Sequence, residues 1–283
     1  MKRALAMMIM AWIALPSCGL AASDDALPQL LAQLDRVANL YRDTALKFSC
    51  VEKIIVTRPR AQPLFYEFEY IYEFSKPSGL VDFRMDKRAR HREGEAPSHA
   101  RLSDYDLPYF LTRGYSWIFL FDRAHQERHR YTVGAETRIL GRPALPITLE
   151  PLPPFEEDVN DWFGTLWVDA ESLQPLRVEA MKRAEHEKEK AFRDAMDSTD
   201  PPKADYWDFA RVQIEFTQEE NGMRFPGKVI STGIQGTVRI RRGKRVAEES
   251  TLFTVSQTYT NYRFFGVRTQ EEIRGIGLAS PSR

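Results

Sequence analysis

The sequence predicts one antiparallel α+β domain of about eleven strands. Three observations support this class. Many short segments alternate apolar and polar residues, turn residues separate those segments, and one helical apolar pattern precedes them all. The clearest alternation lies at residues 64–74, which read LFYEFEYIYEF. We expect the rest of the chain to be organised around this strand.

Length and charge limit the classes of function. The chain has 283 residues, which is ample for a sizeable core, and no break in composition divides it. Lys and Arg number 40 and Asp and Glu number 40, so there is no basic surplus of the kind that binds nucleic acid. We therefore expect a folded, single-domain protein without a nucleic-acid partner.

Residues 1–22 are typical of an export signal. Lys2 and Arg3 precede an apolar run at 4–15 that is too short to span a bilayer, and small residues follow it. Cleavage near residue 22 predicts a periplasmic or secreted chain. Residues 15–18 (LPSC) resemble the acylation motif of bacterial lipoproteins, so the alternative is a chain anchored to the outer membrane through lipidated Cys18. We predict no transmembrane span in the mature chain.

Residues 24–46 predict an amphipathic helix. Leu27, Leu30, Leu34 and Tyr41 recur at three- and four-residue steps, and acidic residues stand at the start. The following segment, 47–57, predicts a strand that contains Cys50. Since apolar residues flank this cysteine, we expect a buried structural thiol without a chemical role.

The strand at 64–74 has one aromatic face and one acidic face, because alternate side chains on a strand point in opposite directions. Its aromatic face comprises Tyr66, Phe68, Tyr70, Tyr72 and Phe74. Two interpretations remain open: these rings pack as core against the N-terminal helix, or some of them line a hollow for an apolar ligand. The same two interpretations apply to Trp117, Phe119 and Trp167.

Further strands follow from alternation and from turn residues, and we predict turns at Asn221-Gly222 and Arg242-Gly243. We predict them at 79–85, 115–121, 128–133, 144–150, 207–216, 225–232, 237–242 and 251–262, with a hairpin over 164–181. Residues 84–101 predict a polar loop, and residues 104–113 predict one or two helical turns. The prolines within 146–154 predict a stiff connector that is poorly suited to a central strand. Residues 183–203 form a charged insertion, either helical or a linker, and 269–283 a flexible tail.

No motif in the sequence predicts catalysis, a metal or a cofactor. His125 and His129 are four residues apart, but no Glu follows the first histidine as in a zinc-protease helix. Phosphate loops, dinucleotide glycine patterns and nucleophile elbows are also missing from the sequence. We therefore expect a protein that is not an enzyme.

The predicted hairpin carries a resemblance to a known superfamily. Residues 164–169 (GTLWVD) and 174–179 (QPLRVE) are similar to a recurring phrase in the LolA/LolB/RseB-like outer-membrane lipoprotein carriers. Residues 256–264 (SQTYTNYRF) resemble the last strand of uncharacterised secreted proteins of this type. The resemblance covers most of residues 23–268.

The resemblance implies an antiparallel half-open β-barrel, with the N-terminal helix and helical insertions covering an apolar concave face. It also implies a non-enzymatic cell-envelope protein that binds lipid or lipoprotein acyl chains in that hollow, in outer-membrane lipoprotein sorting. An alternative on the same fold is an envelope protein-interaction or stress-sensing module. A secreted hydrolase is a further alternative, for which the sequence nominates no residue.

Overall fold

The computed structural model describes residues 26–45, 47–75, 79–86, 100–157, 161–198, 206–241 and 244–265. The predicted export signal, the lipidation candidate Cys18, most of the polar loop and the predicted tail lie outside these residues. The described helices are α1 (Ala26–Thr44), α2 (Arg123–Gln126) and α3 (Arg183–Asp197), with 3-10 helices at Leu102–Asp104 and Gly114–Phe121. None of these helices has the length and apolar character needed to cross a membrane.

The strands run antiparallel throughout. They are β1 (Lys47–Thr57), β2 (Leu64–Ser75), β3 (Gly79–Asp86), β4 (His129–Val133), β5 (Thr137–Ile139), β6 (Arg142–Pro151), β7 (Trp162–Asp169), β8 (Pro175–Lys182), β9 (Tyr206–Glu215), β10 (Gln218–Glu220), β11 (Met223–Phe225), β12 (Lys228–Arg241) and β13 (Lys244–Phe264). Eleven of them form one sheet in the order β3-β2-β1-β13-β12-β9-β8-β7-β6-β4, with β5 on β6. Strands β3 and β4 are not paired, so the sheet is open. The predicted α+β, half-open architecture is confirmed.

The sheet has two faces that different helices cover. Alternation along β1 sends Phe48, Cys50 and Ile54 to one face. Phe48 and Cys50 are buried there with the apolar side of α1 and the 3-10 helix Gly114–Phe121, whereas Ile54 belongs to a second cluster against which Tyr105 and Phe110 pack. We call this face the inner face. Phe209 on β9 points to the opposite, outer face, where it packs against Phe192 of α3.

The position of α3 differs from the prediction that the insertions cover the same face as α1. Residues 183–197 are helical, yet they lie on the outer face. Gly236 of β12 makes this contact close, because a Cβ there would stand 2.8 Å from the Phe192 ring. The sequence does not indicate which face of the sheet α3 covers, since the charged insertion carries few apolar residues that could orient the helix.

Three local predictions were wrong. Residues 115–121 form a 3-10 helix and not a strand, because their apolar residues are continuous and equally suited to a buried helix. Residues 105–113 are not helical; Pro108 lies in this stretch and disfavours the helical conformation in the residue before it. Residues 146–151 belong to β6, where the carbonyl of Pro146 accepts from Gly134 N at 2.9 Å and its missing N–H faces the end of β4.

Two predicted strands, 225–232 and 237–242, are largely one strand, β12. The turn predicted at Asn221-Gly222 is present and joins β10 to β11, with φ values of 54° and 76°. The turn predicted at Arg242-Gly243 lies outside the described residues, although Arg241 and Lys244 on either side of it are paired.

Candidate functional site

The predicted aromatic face is largely buried on the inner face of the sheet. Phe68, Tyr70 and Tyr72 are at most 3% exposed, and Tyr66 is half-buried. The side chain of Phe74 lies outside the described part of the chain. Strand β2 therefore presents Tyr66, Phe68, Tyr70 and Tyr72 toward the covering segments, whereas its acidic side chains and Phe65 lie on the outer face.

Trp117 and Phe119 join the same core from the other side. Both are buried in the 3-10 helix Gly114–Phe121, which lies over the inner face. Trp167 does not share this surface. Its strand neighbours Leu166 and Val168 are buried on the inner face, so Trp167 points outward, with Arg177 5.8 Å from its ring. Six of the eight candidates thus lie on the inner face of β2 or in the 3-10 helix over it, and Trp167 lies apart from them.

Aromatic rings fill one part of the inner face. Phe48 stacks on Tyr72 with ring centroids 5.3 Å apart, and Tyr115 meets Tyr72 edge-on at 5.1 Å. Tyr115 also stacks on Phe225 at 5.7 Å. Burial raises the pKa of Tyr115 and Tyr70 well above the usual value, so these hydroxyls stay protonated and neutral. This part of the inner face is a packed aromatic core.

A buried ion pair separates this aromatic cluster from a second apolar cluster around Ile54 and Val255. Glu52 is fully buried and Arg84 is 3% exposed. The guanidinium donates to both carboxylate oxygens, with Nη2 3.0 Å from Oε1. The rings of Tyr70 and Phe110 lie 4.5 and 4.7 Å from the guanidinium carbon on its flanks.

The same groups hold the segment that covers the inner face. We call residues 100–121 the cover; they form 3-10 turns and irregular backbone, and no strand or α-helix. Arg84 Nη2 donates to the carbonyl of Thr112 at 3.2 Å, and Gln257 Nε2 donates to that of Leu111 at 2.8 Å. The cover is therefore bound to the sheet by side-chain bonds to its carbonyls and by apolar packing. Ion pairs of Asp106 with Arg58 and of Arg113 with Asp82, and one backbone bond from Ala100 N to the Arg84 carbonyl, add to these contacts.

Helix α1 is fastened at its C-terminal half. The hydroxyl of Tyr41 donates to the carbonyl of Arg224 at 2.8 Å, and Arg42 pairs with Asp122 just after the cover. Burial acts to raise the pKa of Asp122, but hydrogen bonds from His125 and the charge of Arg42 outweigh it, so the pKa lies below its usual range. Helix α1 and the end of the cover are thereby joined to each other.

The outer face carries an open groove of about 610 Å³ between α3 and the sheet. Apolar side chains of Phe163, Met181, Ile230 and Ile234 line it together with hydroxyl and charged groups. The ring of His186 on α3 stacks on Phe163 at 4.2 Å. The size is within the range of ligand-binding clefts.

The two histidines singled out in the sequence do not form a metal centre. His125 Nδ1 lies 2.7 Å from Asp122 Oδ1, and His129 Nδ1 lies 2.9 Å from the carbonyl of His125. In the part of the chain that the structure describes, no three His, Cys, Asp or Glu side chains are grouped to hold a metal. Cys50 is 2% exposed, and burial raises its pKa, which keeps it a thiol.

Sequence reasoning missed Glu52, Arg84 and Gln257. A signal for Glu52 was present, because it stands at an inward position between Cys50 and Ile54 in an otherwise apolar alternation. Arg84 could not be paired with it from the sequence, since β2 separates their strands in the sheet.

No protein-family model and no curated protein matches the chain. Several solved structures are similar to it. A LolA superfamily protein from Nitrosomonas europaea is 10% identical, with 84% of this chain and 94% of that one covered, at a TM-score of 0.41. A DUF1329 family protein from Desulfovibrio piger is 12% identical, with 86% and 95% covered, at 0.45.

An outer membrane lipoprotein-sorting protein domain from Vibrio parahaemolyticus is 9% identical, with 86% of this chain and 96% of that one covered, at a TM-score of 0.43. Structures of MucB, two of them with MucA, also match, one at 11% identity and a TM-score of 0.29. Solved proteins of the superfamily that the sequence resembles are thus among the structures similar to this chain.

Proposed function

We propose that the protein is a non-enzymatic cell-envelope protein that binds acyl chains of lipids or lipoproteins on the inner face of its sheet. One observation carries this proposal. A sheet face with two apolar clusters is closed by a cover that contributes no strand to the sheet and no α-helix. A chain of methylene groups can replace the side chains of such a cover at little cost in hydrophobic burial.

The cover is the part that has to move. Phe110, Leu111 and Tyr115 pack on the sheet, while Arg84 and Gln257 hold two adjacent carbonyls. Displacing residues 100–121 breaks few backbone hydrogen bonds, because none of these residues is paired in the sheet. An acyl chain then occupies the space over β1, β2 and β13. Outer-membrane lipoprotein sorting is the process we propose for this activity.

Native mass spectrometry of the mature protein, purified without detergent, tests the proposal. We expect retained lipid or saturable binding of octadecanoic acid, with a change in Trp fluorescence because Trp117 lies in the cover. Phe110→Ala loosens the cover and tightens binding several-fold, since less packing has to be broken. Phe65→Ala, an exposed ring on the outer face of β2, leaves binding unchanged. Protein free of lipid that also fails to bind octadecanoic acid would contradict the proposal.

The outer groove favours a second candidate function, the binding of a partner protein of the envelope. A mixed apolar and polar cleft beside a helix suits an extended peptide segment. A photo-crosslinker at Met181, inside the groove, is expected to capture a discrete partner, whereas one at Lys53, elsewhere on the outer face, does not. Equal capture at both positions would argue against the groove.

A further inference from the structure

Three buried side chains on the inner face, those of Tyr72, Ser231 and Gln257, have an oxygen without a hydrogen-bond partner among the described residues. The last two lie on neighbouring strands. Ser231 on β12 and Gln257 on β13 are both 0% exposed. Within the described residues, Ser231 Oγ and Gln257 Oε1 make no hydrogen bond. A buried oxygen without a partner costs free energy, so each such atom needs an explanation.

The orientation of the Gln257 amide follows from its neighbours. Its Nε2 donates to the carbonyl of Leu111 at 2.8 Å and to the carboxylate of Glu52 at 3.2 Å, and it also lies 2.8 Å from the Tyr259 hydroxyl. Turning the amide over would set Oε1 against the carbonyl and carboxylate oxygens, neither of which can donate a hydrogen bond. Gln257 therefore presents Oε1 to the other side, where it can only accept a hydrogen bond.

Both side chains lie at the border between the two apolar clusters. Ser231 is paired across the sheet with Val212 of the aromatic cluster on one side and Val255 of the second cluster on the other. Gln257 is paired with Val229 and Ile54, one from each cluster. Because Gln257 stands opposite Val229, two residues from Ser231, the two Cα atoms are diagonal neighbours about 7–8 Å apart.

We propose that this pair binds a hydroxyl group carried part-way along an aliphatic chain. One hydroxyl can donate to Gln257 Oε1 and accept from the Ser231 hydroxyl, which satisfies both side chains at once. Apolar clusters on both sides of the pair take the hydrocarbon on either side of that hydroxyl. A polar head at the end of a chain would instead place one cluster against water. The ligand class is therefore a hydroxylated acyl chain.

This inference rests on the proposed binding of acyl chains and makes that proposal more specific. The test compares the binding of octadecanoic acid to the full mature protein with that of three isomeric hydroxyoctadecanoic acids. These carry the hydroxyl at carbon 3, 9 or 12. One isomer is expected to bind about tenfold more tightly than the parent acid, the gain of a buried hydrogen-bonded group. The position of the hydroxyl in the isomer that binds most tightly shows how far the acyl chain extends into the inner face.

Paired variants assign the preference to this site. Ser231→Ala removes one of the two partners of the ligand hydroxyl. It is expected to reduce the ratio of the dissociation constants of octadecanoic acid and the preferred hydroxy acid several-fold. Thr232→Ala, on the same strand with its side chain on the outer face, is expected to keep the ratio. A ratio that survives Ser231→Ala would overturn the assignment.

The remaining outcomes separate the two proposals. Equal affinity for octadecanoic acid and all three isomers overturns the hydroxyl site and leaves acyl-chain binding standing. No binding of any of the four acids removes both. A crystal structure of the preferred complex that shows only water between Ser231 and Gln257 also overturns the site.

Discussion

Glu52 and Arg84 bring two charges into a largely apolar interior. Removing a charged group from water is costly, and only a close partner with further hydrogen bonds offsets that cost. Here the partner is bidentate, and Gln257 and the Thr112 carbonyl supply further bonds. Each charge therefore depends on the other.

We expect Arg84→Met to lower the free energy of unfolding by about 3–5 kcal/mol, because it leaves the Glu52 carboxylate buried without its partner. Urea denaturation measures the change. Replacing both residues, Glu52→Leu with Arg84→Met, is expected to cost less than the single change. Arg130→Ala breaks an exposed pair with Glu150 and is expected to cost at most about 1 kcal/mol. Equal losses of unfolding free energy in Arg84→Met and Arg130→Ala would contradict the conclusion that the buried Glu52 carboxylate depends on Arg84.

Asp122 makes stability depend on pH in the acid range. Its pKa is lower in the folded protein than in the unfolded chain, so the unfolded chain takes up a proton first as the pH falls. The stabilisation is present above the unfolded pKa, near 4, and is lost as the pH falls through the folded value.

Asp122→Asn keeps an oxygen at the start of α2 and removes the titration. We expect its unfolding free energy to fall less steeply than that of the native protein as the pH drops below about 4. Asp106→Asn is the control, because Asp106 is an exposed carboxylate paired with Arg58. Parallel pH profiles for the native protein and Asp122→Asn would show that the carboxylate is not linked to folding.

At the scale of elements, the close packing of α3 on β12 depends on one glycine, Gly236. A Cβ at Gly236 would stand 2.8 Å from two ring carbons of Phe192, closer than side chains approach each other. Phe192 is 2% exposed and packs on Phe209, Ile234 and Val238, so its ring has little room to retreat.

We expect Gly236→Ala to destabilise the protein by about 1–3 kcal/mol through overpacking against Phe192. Hydrogen exchange should show the loss of protection in α3 before α1. Adding Phe192→Leu should recover part of the loss, because the smaller side chain makes room for the methyl group. Ser250→Ala, an exposed change on the neighbouring strand, should shift stability by about 0.5 kcal/mol or less. Loss of protection in α1 first would contradict this account.

Alternation predicted elements well where one face is apolar and the other polar. Residues 64–74 and the hairpin at 164–181 are strands for this reason, with bounds close to those predicted. The same rule failed at Tyr115–Phe121, where apolar residues occupy every face. It also divided β12 in two, because Gly233 and Gly236 interrupt the pattern within a continuous strand.

The site could be predicted only in part, and the reason is long-range contact. The aromatic wall is a local property of β2 and was visible in the sequence. Glu52, Arg84 and Gln257 together form a polar strip on the inner face. This strip was not visible in the sequence, since its residues come from three strands that are distant along the chain. Which face α3 covers also depends on packing with β9 and β12 and not on its own charge-rich sequence.

At the scale of the whole molecule, the two faces of one sheet differ in how accessible they are to a ligand. The inner face is closed and apolar, interrupted by a polar strip, while the outer face is partly open beside α3. Ligand binding to the inner face requires the cover to move and the groove requires no such movement. We therefore expect inner-face binding to be slow and to speed up in Phe110→Ala, and we expect peptides to bind the groove at a rate that this substitution does not change.

The buried position of Cys50 allows the opening of the cover to be measured by thiol labelling. A thiol reagent can reach Cys50 only while the inner face is uncovered, so the rate of labelling measures how often that opening happens. Labelling should accelerate in Phe110→Ala and remain unchanged in Phe65→Ala. An acyl chain lying over β1 should protect the thiol even while the cover is displaced. Labelling of this one thiol, followed by mass spectrometry, would thus report both how often the cover opens and whether an acyl chain occupies the inner face.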